Sequence, residues 1–202
     1  EIMPSLVGSE MCIRDRFATD ALLRASTLLS FGITMVMGSL QGIVLPAYFT
    51  QIGEPEAVGY VVSAMGAGLL VGSLVYTALS HAMSRRAWLV TSLVGMAASV
   101  VVLAGLPALP VLLGSAAALG LFAGPASALL GFFAFDRVPD DRRGSAMGTL
   151  NALYLVVAPV GAFVGSVLIS VMQIEGAGMV LAGAWLVVTA VALIAKPLRD
   201  LG

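Results

Sequence analysis

Past residue 16 the chain reads as six long apolar stretches, and its basic residues occupy only some of the gaps between them. Arg24 stands at the entrance to the first stretch, Arg85 and Arg86 follow the second, Arg137, Arg142 and Arg143 follow the fourth, and Lys196 and Arg199 follow the sixth. The gaps after the first, third and fifth stretches hold no Lys or Arg. A chain that crosses a membrane six times puts these two sets of gaps on opposite faces. Cytoplasmic loops carry the excess of Lys and Arg. The pattern therefore predicts a multi-pass protein of the cell (plasma or inner) membrane, with both ends of this segment cytoplasmic.

Composition requires the same solvent. The chain is 59% hydrophobic and 10% charged, with a mean hydropathy of +1.04, whereas a soluble domain is nearer half apolar and a quarter charged. Each stretch is long enough to cross a hydrocarbon core of about 30 Å as a helix. The runs are continuous, unlike the alternating segments of a membrane barrel. The fold class expected is an all-α membrane protein. Its spans are expected over residues 26–49, 58–82, 87–106, 111–135, 145–172 and 179–195. QIGEPEA, LPALP and QIEGAG form the outer turns. The near-neutral charge argues against a nucleic-acid partner.

Residues 1–16 are polar and differ from everything after them. LVGSEMCIRDR, ending at Arg16, matches one reading frame of a transposase-type sequencing adapter, so this segment is expected to be non-native and is set aside from fold reasoning. It holds the single cysteine, Cys12, and its removal leaves eight basic and eight acidic residues. On this reading native sequence begins near Phe17, inside a longer reading frame.

Little in the chain suits covalent chemistry. A nucleophile needs a base within hydrogen-bond reach, but native cysteine is absent and the lone histidine, His81, lies in a basic turn. No His and carboxylate cluster has metal-ligand spacing, and no phosphate-binding glycine loop is present. No enzyme, catalytic residue, metal or cofactor is expected.

The polar residues inside the stretches suit a solute pathway better. Ser30, Thr34, Gln41 and Tyr48 recur at helical spacing along the first span. Gln41 is the deepest polar side chain there, and an unpaired amide in hydrocarbon is costly. It faces either a wet cavity or a hydrogen-bonding neighbour. Ser115 and Ser127 in the fourth span, and Asn151 and Tyr154 in the fifth, carry the same two readings. Phe31, Met35, Met37, Phe122 and Phe132 could add an adaptable apolar lining. Gly68/Gly72, Gly120/Gly124 and Gly161/Gly165 are four residues apart, a spacing that lets helix backbones approach closely. Pro46, Pro125 and Pro159 mark kinks or hinges, because neighbouring groups in a bundle can re-satisfy the carbonyl each one frees. GAGLLVGSLV in the second span and GAFVGSVLI in the fifth echo one another, as the middle helices of two three-helix repeats would.

The segment DRVPDDRRGSAMGTLNALYLVVAPVGAFVGSVL, from Asp136 to Leu168, resembles the tenth-to-eleventh helix region of the major facilitator superfamily, and most of all its drug-efflux members. The residues that carry the resemblance are Val138, Pro139, Arg143, Gly144, Gly148, Pro159, Gly161 and Gly165. The second span, with Gly59, Gly66, Gly68 and Gly72, looks like the family's eighth helix. The turn ALSHAMSRR keeps Arg85 and Arg86 of the family's basic turn but places His81 near the expected acid and Ser84 where glycine is usual.

The resemblance implies that residues 17–202 are the C-terminal six-helix half of a twelve-helix transporter. Its first and fourth spans would line a central cavity, its second and fifth would face the other half, and its third and sixth would face lipid. The function implied is secondary active transport by alternating access, as proton-coupled efflux of drugs or other amphipathic small molecules. The partners implied are such a solute, protons, the bilayer and an N-terminal half. Coupling needs an intramembrane ionisable group. None stands in mid-span, so it is expected in that other half. Uptake of a nutrient or metabolite by the same fold, and a complete six-span membrane subunit without enzymatic activity, are the alternatives.

Overall fold

A computed structural model describes residues 21–136 and 143–194. The first span comprises α1 (Ala21–Ser39), a π-helical turn (Leu40–Val44) and α2 (Leu45–Gln51). The second, third and fourth spans are α3 (Ala57–Leu79), α4 (Arg85–Ala104) and α5 (Leu109–Asp136). The remainder is α6 (Arg143–Ile194), 52 residues long with a non-helical break at Gln173.

Five helices are long and apolar enough to cross a membrane. The last apolar run, Asn151–Ile194, has 44 residues, about 66 Å of helix at 1.5 Å per residue. That is twice the hydrocarbon thickness. At Gln173 the backbone turns to φ 63° and ψ 172°, a conformation that non-glycine residues rarely adopt. The fifth and sixth spans are thus the two arms of α6, residues 143–172 and 174–194. The outer turn is sharper than expected from QIEGAG: one residue breaks the helix, and Gly176 and Gly178 lie within the sixth span. Gly178 is needed there for packing, since a Cβ on it would come within 2.8 Å of the Ala104 carbonyl oxygen.

The π turn has a local cause. Pro46 lacks an N–H and its ring crowds the carbonyl four residues back. Just before it, the Leu45 N–H reaches past one residue to the Leu40 carbonyl, which widens the turn around Gln41.

Two helix pairs organise the bundle: the second span along the fourth, and the first along the fifth. Both use glycine for backbone contact. A Cβ on Gly68 would strike the Ala117 carbonyl oxygen, one on Gly72 that of Leu121, and one on Gly120 that of Met65. Gly124 lies against Leu69 and Ser73 in the same way. In the other pair Gly161 meets the Met35 carbonyl, Gly165 that of Ser39, Gly38 that of Ala158, and Gly42 the Ala162 side chain. One constant shift along the chain carries Met65, Gly68, Leu69 and Gly72 onto Ala158, Gly161, Ala162 and Gly165. A second carries Ala117, Gly120, Leu121 and Gly124 onto Met35, Gly38, Ser39 and Gly42. The echo between the second and fifth spans is therefore the sequence trace of a two-fold relation between three-helix units, and the contacts obey it residue by residue.

The third span departs from expectation. It is apolar nearly all round, yet it is the most enclosed of the spans. Leu89, Leu93, Met96, Val100 and Leu103 are buried, while Thr91, Val94, Ala98, Val101 and Val102 form an exposed stripe. Lipid and protein interior are equally apolar, so composition alone does not separate a lipid-facing side from a packed one. The second span and the fifth-span arm of α6 are mostly exposed among the described residues. Trp185 of the sixth span is the largest fully buried side chain.

Candidate functional site

Ser30, Ile33 and Thr34 of the first span lie at helical spacing on one face. They look across to Ala123, Ala126, Ser127, Leu130 and Gly131 of the fourth, Met96 of the third, and Asn151 and Tyr154 of the fifth. Together these residues bound a cleft of about 410 Å³, within the range of roughly 300–1,000 Å³ that holds drug-sized ligands. The walls are mainly apolar and the polar groups are few. On the first and fifth spans the lining residues lie toward the end that carries Arg24 and Arg143, and Gly38, Gly42, Gly161 and Gly165 lie further along the chain.

Local bonding sets how the polar groups present themselves. Ser30 Oγ donates to the Ser26 carbonyl at 2.9 Å, and Thr34 Oγ1 to that of Ser30 at 2.8 Å. Ser127 Oγ donates to the Gly124 carbonyl at 2.9 Å. Such back-bonding satisfies a hydroxyl inside its own helix. The Tyr154 ring stands edge-on to Phe31 at 5.1 Å and 82°, bracing the fifth span against the first beside the cleft.

Of the eight residues read as pathway candidates, the structure gathers five here: Ser30, Thr34, Ser127, Asn151 and Tyr154. The other three lie elsewhere. Gln41 sits at the π turn beside the second span, its amide donating to Met37 Sδ at 3.6 Å and Met65 Sδ at 3.3 Å. It borders a separate void of about 20 Å³. Tyr48 donates its hydroxyl to the Leu106 carbonyl at 3.4 Å and stacks edge-on with Phe49, tying down the outer end of the first span. Phe122 is packed in the core, its ring occupying the space that a Cβ on Gly95 would need. Ser115 is buried and bonded to the Leu112 carbonyl. Sequence reasoning missed Met96, because nothing in an unbroken apolar run marks which methionine faces a cleft. Among the described residues no group of His, Cys, Asp and Glu could hold a metal.

The Major Facilitator Superfamily model matches residues 27–200. The chain belongs to this superfamily. This is a superfamily of multi-pass membrane transporters. The chain is 28% identical over 180 residues to the multidrug efflux pump Tap of Mycolicibacterium fortuitum, a match that covers 89% of this chain and 44% of that pump. It is 26% identical over 140 residues to the Tap pump of Mycobacterium tuberculosis (strain ATCC 25618 / H37Rv), covering 69% of this chain and 33% of the relative. The chain thus spans less than half the length of the curated relatives it matches. No solved structure gives a significant match.

In this superfamily chain the turn after the second span is built differently from the usual acid-and-glycine pattern. Ser84, in extended conformation, caps the third span by accepting a hydrogen bond from the Ala87 N–H at 3.2 Å. That is the ordinary work of a serine at a helix start. The Arg85 guanidinium lies over the Phe132 ring, 4.5 Å from its centroid, joining the start of the third span to the end of the fourth. His81 and Arg86 are exposed. Gly144 is exposed with open space around it. Arg137, Val138, Pro139, Arg142, Lys196 and Arg199 lie outside the described residues, as do residues 1–16 and the side chain of Arg143.

Proposed function

We propose that residues 17–202 are the C-terminal six-helix half of a proton-coupled exporter of drugs or similar amphipathic molecules, and that residues 1–16 are adapter-derived. The cleft is this half's share of the solute pathway, and the two halves rock against each other to expose it to either side in turn. The observation that carries this reading is the convergence of neutral polar groups from three spans on an apolar-walled cleft of drug-like volume. The relatives' name, multidrug efflux pump, points the same way. With the basic connections cytoplasmic, the cleft lies in the cytoplasmic half of the membrane, where an exporter loads. Lipid-facing and partner-facing surfaces are supplied by the exposed sides of the second, fifth and sixth spans. The glycine pairs and Pro125 and Pro159 serve as the packing and hinge elements.

No Asp, Glu, His, Lys or Arg stands in the middle of a described span. The proton-coupling group is therefore assigned to the N-terminal half. Inside-out vesicles carrying the complete transporter test the reading. Acidifying the lumen is expected to drive accumulation of an amphipathic cationic dye, and a protonophore to abolish it. Dye movement indifferent to the proton gradient would remove the coupling, and no dye movement would remove the exporter. Residues 17–202 expressed alone are expected to give no proton-driven uptake.

A further inference from the structure

We infer that the cleft reads hydrogen-bond donors on its solute. Its preferred solutes are amphipathic molecules that carry N–H or O–H groups, in preference to molecules of the same size and charge that carry only acceptors. The inference rests on the reading of the cleft as the solute pathway.

The direction of three hydroxyl bonds is the reason. Ser30, Thr34 and Ser127 each send their proton back to a carbonyl of their own helix. A hydroxyl so engaged has lone pairs left over and no proton to offer. A donor on the solute adds a hydrogen bond to such a group without breaking one. An acceptor on the solute gains a bond only if the hydroxyl leaves its helix carbonyl, so one bond is exchanged for another. That asymmetry favours donors. Asn151 contributes a carbonyl oxygen as well as an amide, and Tyr154 a hydroxyl, so neither reverses the balance. The apolar wall, which includes Met96, takes the rest of the solute. Among the described residues the cleft lining contains no ionisable group other than the Tyr154 phenol, so this wall selects by donor pattern and not by charge.

Two dyes separate the possibilities. N-methylated proflavine and N-methylated acridine orange are both permanently charged acridinium ions with the same ring. The first carries amino groups, the second dimethylamino groups with no N–H. Binding of each to the complete transporter is measured by fluorescence for the wild type and for Thr34→Val combined with Ser127→Ala. The wild type is expected to favour the amino dye. In the double variant the preference is expected to fall by about fivefold or more, the equivalent of roughly one hydrogen bond, with the amino dye losing more affinity than the dimethylamino dye. Retained binding of the dimethylamino dye reports that the variant is folded. If both dyes lose affinity equally, or the ratio does not change, the inference is overturned while the exporter reading stands. If the wild type binds neither dye, both fall together.

Discussion

Gly72→Val is expected to destabilise the bundle by about 3 kcal/mol, the upper range for forcing extra carbon into a filled contact. Gly66→Val, on the same helix, is expected to melt close to the wild type. The difference is geometric. A Cβ on Gly66 meets nothing within 4 Å, whereas one on Gly72 lands on the carbonyl oxygen of Leu121. That carbonyl is already unusual. Four residues on stands Pro125, which has no N–H to bond to it. The oxygen freed by the proline and the bare glycine backbone opposite are thus two parts of one joint. The joint fits only while Gly72 lacks a side chain. Thermal unfolding of the purified protein in detergent, followed by circular dichroism, checks the pair. A Cβ on Gly165, the two-fold counterpart of Gly72, would lie 3.2 Å from Ser39 atoms. Its alanine variant should therefore cost less than that of Gly72, because the first and fifth spans are in looser contact there.

Ser127→Trp is expected to reduce dye export by more than tenfold with little change in melting temperature. Ser127 is an exposed residue on the cleft wall, and its own bond is local to the fourth span. An indole there would occupy space facing Thr34, Asn151 and Tyr154 without entering the core. Val101→Trp, on the exposed stripe of the third span, is the matched bulky change away from the cleft and is expected to leave export near the wild-type rate. Equal loss in both variants would mean that the indole acts through general damage and not by blocking a pathway.

Much of this arrangement was legible in the residues, for physical reasons that also mark the limits. Helix positions follow from hydrophobic length, and the first three interhelical turns fell where breakers and charges cluster. The fifth, at Gln173, was read too long because Gly176 and Gly178 resemble loop glycines. Only the neighbouring backbone of Ala104 reveals that Gly178 is a packing glycine. The spaced glycines at 68/72 and 161/165 carried the repeat, although the sequence echo alone left open what they touch. Hydroxyls at helical spacing led to the cleft through Ser30, Thr34 and Ser127. The same rule also selected Gln41, which lies within the glycine crossing of the first span between Gly38 and Gly42, and Tyr48, which lies beyond it. Periodicity gives the face of a helix. It does not give the depth at which two helices part, and depth is what separates these two from the cleft. Phe122 and Met96 exchange roles for a related reason, since in a chain this apolar a cleft wall and a core have the same composition.

The central claim is that the cleft between the first, fourth and fifth spans is a solute pathway. Its most direct test is the reactivity of single cysteines at Thr34, Ser127 and Asn151, introduced into the complete transporter after replacement of any other cysteines, set against one at Val101. A water-soluble, membrane-impermeant thiol reagent should label the three cleft positions from the cytoplasmic side, and an exported dye should slow that labelling. Val101→Cys should stay unreactive with or without dye. Labelling of the cleft positions that is no faster than at Val101, or that dye leaves unchanged, would contradict the account.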